Sequence, residues 1–457
     1  MRFTLLMLLV FSVLTVKTHQ SQLRKVDCSF IKELKGGSDI ECGALIVPEN
    51  RHNPKAKQIT ISYAILKSQE SSSNQPLIYL NGGPGGTSLE LINFWAGSAL
   101  RNHRDLILVD QRGTGYSSAL PDFGPKLYEV ISGDYTADQE TEVLISEGKR
   151  HVADMRSKGF NPESYNIFEN ASDLIDLMRS LGYEGYHLLG ISYGTKLGQI
   201  IATKAPELIS SAVMYGPVSV DTEFFSNMLG NYEKAFRAFS RDCTMNSHCS
   251  DLLPDPVMNF KEAIEALEKE PISLRLNESP FVLNAQDAVY FLRYLLYGNN
   301  PFETIPQYIQ AILTRDVSKL EELSLFPARM ITIGNTSAYI SSIGYDDIHS
   351  SSAKNYHRAL KNGELFDSGI AFFTSVVQMT DGWLKQTANS SEKMLKPTDV
   401  PTMIMVHEHD PASPPANLSK YEAYFKNTQT RLFKEYGHIS LTKEKLDLMN
   451  EFFLLHD

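Results

Sequence analysis

Ser192 lies in Gly190-Ile-Ser192-Tyr-Gly194, a serine bracketed by glycines at the spacing of a sharp strand-to-helix turn. Such a corner exposes the hydroxyl at the end of a buried strand, and the small flanking residues let strand and helix approach each other. A serine hydroxyl becomes a nucleophile when a base takes its proton and a carboxylate orients that base. Both partners follow in the order acid then histidine: Asp410 in Glu408-His-Asp410-Pro-Ala-Ser-Pro-Pro415, and His438 in Tyr436-Gly-His438-Ile439. Acyl transfer also needs two backbone N–H donors for the oxyanion. Tyr193, directly after the serine, is one expected donor. Gly83, in the loop Asn81-Gly-Gly-Pro-Gly-Gly86, is the other, with Gly82 its neighbour. That loop lacks the Gly-Lys-Ser/Thr ending of a phosphate cradle. His407 and His409 beside Asp410 suggest a metal cluster, but no cysteine or further histidine nearby completes it. The expectation is therefore serine-based acyl transfer with no metal and no cofactor.

These residues need a scaffold that brings distant loops to one edge. Pro76–Leu80, Asp105–Val109 and His187–Leu189 are short continuous apolar runs, two of them stopped by glycine-rich loops, as in fully buried parallel strands. Ala44–Val47 and Ile59–Ile65 read as earlier strands, and Thr402–Val406 and Thr430–Phe433 as late ones. Between them, a helix beginning at Asn170 carries Leu174, Leu177, Met178 and Leu181 on one face, and a closing helix carries Leu446, Met449 and Phe453. Strand, helix, strand at this rhythm predicts an α/β fold, a mostly parallel sheet with helices on both faces. Loops at the carboxyl ends of such strands converge, so Ser192, Asp410 and His438 can meet there. From about Asp221 to Lys385 the rhythm gives way to aromatic-rich helical patterns such as Ala288–Tyr297, read as an inserted helical cap without strands. The predicted division is 1–20 leader, 21–220 core, 221–385 cap and 386–457 core.

The chain has 457 residues, 42% hydrophobic and 21% charged, which suits a globular protein with a sizeable core and excludes disorder or coiled coil throughout. A net charge of −11 with no basic cluster argues against a nucleic-acid partner. The apolar run Phe3–Val16, after Arg2 and before Lys17, is too short to span a bilayer and matches a secretory leader cut between about Thr15 and Ser21. No second apolar span follows, so a secreted or periplasmic protein without stable membrane insertion is expected. Four cysteines fit that compartment. Local pairing, Cys28 with Cys42 and Cys243 with Cys249, is the simplest of three arrangements, and the spacing does not suit zinc.

Taken together, Gly82-Gly-Pro-Gly85, Asp110-Gln-Arg-Gly-Thr-Gly115 with Ser117, and Gly190–Gly194 resemble the prolyl iminopeptidase and tripeptidyl aminopeptidase branch of the α/β-hydrolases. Secreted tripeptidyl-aminopeptidase-like members also resemble the chain at Cys42–Pro48, at Cys243 and Cys249, at the cap segment Leu296–Gly298 and at Asp410–Pro414. The resemblance runs from about Cys28 to His438 and implies Ser192, Asp410 and His438 as the catalytic triad. A later cap cysteine pair common in such relatives is missing near Ile343–Asp347 and Asp381–Trp383, which bears on the pocket the cap shapes.

The resemblance implies an aminopeptidase releasing residues or short peptides from the amino end, proline-directed cleavage included, with short peptides as substrates. An ester hydrolase with the same machinery is the alternative, and an inactive hydrolase kept as a binding module the second. An exopeptidase must meet the substrate ammonium with carboxylates or carbonyls. Asp221 and Glu223 at the cap entry, and Asp346 and Asp347 within the cap, are the acidic candidates.

Overall fold

The computed structural model describes residues 21–31, 39–53, 55–70, 74–348, 354–356, 358, 371–434, 437–438 and 440–457; the expected leader, 1–20, lies outside them. Eleven strands are formed among the described residues: β1 Gln22–Val26, β2 Ile40–Pro48, β3 Gln58–Leu66, β4 Leu77–Leu80, β5 Leu106–Val109, β6 Tyr186–Ile191, β7 Ile209–Tyr215, β8 Ile272–Leu276, β9 Ser279–Leu283, β10 Thr402–His407 and β11 Thr428–Phe433. Nine of them make one sheet in the order β1-β2-β3-β5-β4-β6-β7-β10-β11. Pairing is antiparallel from β1 to β5 and parallel from β5 across to β11.

The central strands β4, β5 and β6 are buried at every position because both faces are covered, and nearly all their residues are apolar. Ile78, Leu80, Ile107, Val109 and Leu188 pack with Leu174, Leu177 and Met178 of helix α2 (Ile167–Leu181) and Leu197, Ile200 and Ile201 of α3 (Tyr193–Lys204). Alternate residues Leu77, Tyr79, Leu106, Leu108 and Leu189 face Met449, Phe452 and Phe453 of the closing helix, Lys443–Leu454. Helix α2 starts earlier than Asn170: Asn166 is its cap, accepting from the amides of Phe168 and Glu169, while Asn170 is inside the helix and accepts from Arg112 N. Strand β1 is a polar, mostly exposed edge strand, QLRKV, with no alternation to announce it.

Residues 224 to 383, between β7 and β10, hold helices that include α4 (Phe224–Met245), α5 (Ala285–Leu295), α6 (Thr336–Asp346) and α7 (Ala371–Trp383). They enclose an aromatic core of their own, with Phe236, Phe239, Phe260, Phe291 and Phe373 buried. Contrary to the strand-free expectation, β8 and β9 form an antiparallel hairpin here. Ile272, Leu274 and Leu276 are buried and the residues between them exposed. Its turn, Asn277-Glu278, has φ of 48° and 66°, the left-handed pair of a type I′ two-residue hairpin. The earlier helix α1 (Ala137–Ser157) also packs into this core through Leu144, Val152 and Met155.

Both local disulfides form. Cys28–Cys42 ties the segment after β1 to β2, and Cys243–Cys249 ties the end of α4 to the next short helix. Among the described residues no helix is long and apolar enough to cross a membrane.

Candidate active site

Strand register begins the assembly. β4 pairs with β6 so that Leu80 lies beside Gly190, which brings the loop after Leu80 against the turn after Ile191. Ser192 occupies that turn at φ 55° and ψ −122°, a conformation costing about 1–3 kcal/mol for a residue with a side chain. Hydrogen bonds hold it there: Ser192 N donates to Tyr215 O at 2.9 Å, and Thr195 donates to Ser192 O through both N (2.8 Å) and Oγ1 (2.6 Å). A Cβ on Gly194 would stand 1.9 Å from Leu80 O, so no side chain fits the crossing of turn and loop.

Asp410 follows β10 and is fully buried. Its carboxylate accepts from Ala412 N (2.7 Å), Ser413 N (2.9 Å) and Ser413 Oγ (2.6 Å). His438 Nδ1–H donates to Asp410 Oδ2 at 2.8 Å, and Ser192 Oγ–H donates to His438 Nε2 at 2.8 Å. Burial alone would raise the Asp410 carboxyl, but His438, followed by the Ser413 hydrogen bonds, holds it below the usual carboxylate range. An ionised acid on Nδ1 fixes the tautomer whose Nε2 lone pair faces the serine. The structure thus brings together all three residues singled out from the sequence.

The inserted segment seats the histidine. His438 N donates to Tyr297 O at 3.3 Å, and the Tyr297 and His438 rings lie 4.9 Å apart. Gly437, at φ 112°, would place a Cβ 3.0 Å from Gly298 O. The Leu296–Gly298 stretch is therefore the platform beneath the histidine loop. Ser413 and Tyr297 were not singled out as site residues. Ser413 had a signal, a hydroxyl three residues after an aspartate, the local turn that bonds an acid to the following backbone; for Tyr297 the resemblance at Leu296–Gly298 marks the segment but not its role, because its partner is 141 positions away in a separate loop.

The Asp110–Ser117 motif supports the glycine loop. Asp110 accepts from Ser88 N (2.7 Å), Leu89 N (3.0 Å) and Tyr116 N (2.8 Å), and burial pushes it up to about 6 against those bonds. Arg112 is clamped bidentately by Asp173, both bonds 2.7 Å. In the glycine loop, Gly82 N is used by Asn81 Oδ1 at 2.8 Å, and a Gly82 Cβ would lie 3.2 Å from Ser192 Cβ. Gly83 and Tyr193 share the cavity wall with Ser192.

That cavity, about 500 Å³, lies between the sheet edge and the insertion, with Phe94, Trp95, Tyr290, Tyr294, Tyr339 and Phe372 on its walls. Asp346 and Asp347 also line it and are buried. Lys196, one turn past the serine, lies 2.8 Å from Asp346 and 4.0 Å from Asp347. Asp347 accepts from Phe224 N and Phe225 N at the start of α4. Burial pushes the Asp346 carboxyl up despite Lys196, and neither of its oxygens receives a well-aligned hydrogen bond. Asp221 and Glu223 do not line the cavity: Asp221 accepts from the Tyr424 hydroxyl, and Glu223 from Asn355 Nδ2 at 3.3 Å. Their position just after β7 directs them to the outer flank. His407 and His409 diverge, His407 toward Tyr215 and Lys445, and His409 toward Asp242.

Residues 75–444 match a family described as alpha/beta hydrolase fold. The chain is similar to a tripeptidyl aminopeptidase of Streptomyces lividans, 27% identical over 191 residues, covering 38% of this chain and 35% of that protein. It is similar to the serine protease Hip1 of Mycobacterium tuberculosis (strain ATCC 25618 / H37Rv), 24% identical over 225 residues, covering 46% of this chain and 42% of that one. The matches thus span less than half the length of these curated relatives. Among solved structures, a proline iminopeptidase of Mycobacterium smegmatis aligns over 90% of this chain and 98% of its own, with a TM-score of 0.41 and 17% identity.

Proposed function

Because the chain belongs to the α/β-hydrolase fold family, we propose that it is an exported serine hydrolase that cleaves short peptides from their amino end. The observation that carries this reading is the unbroken line Asp410–His438–Ser192, with both links at 2.8 Å. Ser192 Oγ attacks the scissile carbonyl carbon while its proton passes to His438 Nε2. The amides of Tyr193 and Gly83 receive the negative oxygen. The C–N bond then breaks, His438 gives its proton to the leaving amine, and water, deprotonated by the same imidazole, releases the acyl group from Ser192. Asp346 and Asp347 supply the negative end of the cavity for the substrate ammonium. Asp346 suits that task because its oxygens have acceptor capacity that Lys196 leaves unused. The peptidase names of the relatives support a peptide substrate, and the two disulfides support an oxidising compartment.

The test has two arms. A fluorophosphonate probe should label Ser192, and S192A should lose the label and at least about 10⁴-fold in turnover while retaining its thermal midpoint. Acetylating the peptide amino terminus should lower kcat/KM at least about tenfold, as loss of one charge-assisted contact does. Equal cleavage of free and acetylated peptides would replace the aminopeptidase reading with an endopeptidase or an ester hydrolase.

A further inference from the structure

The serine cavity contains a buried cation, without a carboxylate partner among the described residues, that the reaction described above does not use. Arg293, on α5, lines the cavity and is 2% exposed. Its guanidinium stacks over the rings of Tyr297 (5.0 Å), Tyr294 (5.3 Å) and Phe373 (5.3 Å), with the Tyr297 hydroxyl beside it. No carboxylate forms an ion pair with it among the described residues, and its Nε has no hydrogen-bond acceptor. The other largest buried arginines are treated differently: Arg112 is clamped by Asp173, and Arg104 is paired with Asp457 at 2.9 Å and with Asn450. Lys196, the other buried cation of the cavity, has Asp346.

A buried cation without an anion is costly unless something supplies the counter-charge, and aromatic faces replace only part of it. The planar fork of guanidinium donors is matched by a carboxylate, which can accept two parallel hydrogen bonds. Position adds the functional link. The Tyr297 ring lies 5.0 Å from the Arg293 guanidinium and 4.9 Å from the His438 ring. A ligand held by Arg293 is therefore held within the reacting cavity.

We propose that Arg293 is a specificity residue that receives a carboxylate of the substrate, so that the cavity selects molecules carrying an acid group as well as the scissile bond. This deepens the peptidase reading and rests on Ser192 being the nucleophile. With Asp346 and Asp347 at one place on the wall and Arg293 at another, the preferred substrate is a short zwitterionic peptide. The carboxylate is either the free carboxyl terminus or an acidic side chain.

Two matched series tested on the full secreted protein distinguish these sources: short peptides with a free carboxyl terminus against their terminal amides, and amide-blocked peptides with Glu against Gln at successive positions. One series should show at least about tenfold higher kcat/KM for the acid member, mainly through KM, and that series identifies the source. In R293M this acid-to-neutral ratio should collapse to within about twofold, and R293K should restore part of it. Ratios near one in both wild-type series overturn the proposal without recourse to any variant. A ratio that persists in R293M with an unchanged thermal midpoint overturns it too. N-acetylated forms of the same peptides separate the two claims, since equal cleavage of those sinks the aminopeptidase reading while the acid-to-amide ratio still reports on Arg293. Should no peptide be cut, a hemisuccinate ester against its methyl ester carries the same comparison.

Discussion

Ser413 shows what holds the acid of the proposed triad in place. Its amide, with Ala412 N, donates to Asp410 Oδ1, and its hydroxyl donates to Oδ2, the oxygen that also accepts from His438 Nδ1, so the carboxylate stays ionised inside the protein. S413A removes one charge-assisted bond of about 1.5–3 kcal/mol and should lower kcat by about tenfold or more. D410N, which reverses the polarity facing Nδ1, should lower it by about 10⁴-fold. A smaller loss in D410N than in S413A would mean that the acid acts elsewhere. The hydrogen-bonded line Asp410–His438–Ser192 was legible because the motif around the serine and the order acid then histidine are local patterns in the chain. Asp346 was legible only as one acid among four. What separates it from Asp221 is that Asp346 ends a helix over the cavity while Asp221 meets Tyr424 on the flank. Such a difference is created by packing and leaves no local mark.

Elements show the same division. Continuous apolar runs revealed the central strands because a sheet covered on both faces buries every position, and a polar residue such as His187 is admitted only where Ser211 and Asp457 meet its ring nitrogens. The hairpin β8–β9 was equally written in the alternation of Ile272, Leu274 and Leu276, but it was obscured by the helical patterns on either side. Strand β1 was illegible, since an exposed polar edge obeys no pattern. Helix α5 contains a feature with a pH signature. Asp287 on α5 and Glu140 on the helix Ala137–Ser157 are buried together. Burial pushes both carboxyls up, Asp287 further by the charge of Glu140, and Glu140 to about 7 against the Gln286 hydrogen bond. The folded state therefore keeps a proton that the unfolded chain releases, and stability falls as pH rises from about 4.5 to about 7. E140Q removes that penalty. It should raise stability by on the order of 2 kcal/mol at pH 8 and lose the advantage at pH 4, read from thermal unfolding at both values. An equal effect at the two pH values would show that Glu140 does not titrate in this range.

At the scale of the molecule, the parallel sheet with its helical insertion between β7 and β10 agrees with the α/β expectation, whereas the union of the helix Ala137–Ser157 with the insertion's core could not be read from sequence order. The disulfides make a whole-chain prediction: alkylation of the unfolded protein, purified without reductant, should add no label before reduction and label all four cysteines after it. Four free thiols would place the protein in a reducing compartment. The contact between Tyr297 and the histidine loop has a broader consequence. Ser192, His438 and Asp410 all belong to loops of the sheet, yet His438 rests on a residue of the covering segment. Roof and engine are therefore interlocked. A graft that exchanges this covering segment for another to change substrate would also unseat the proton carrier, so a new specificity would have to bring its own rest for His438.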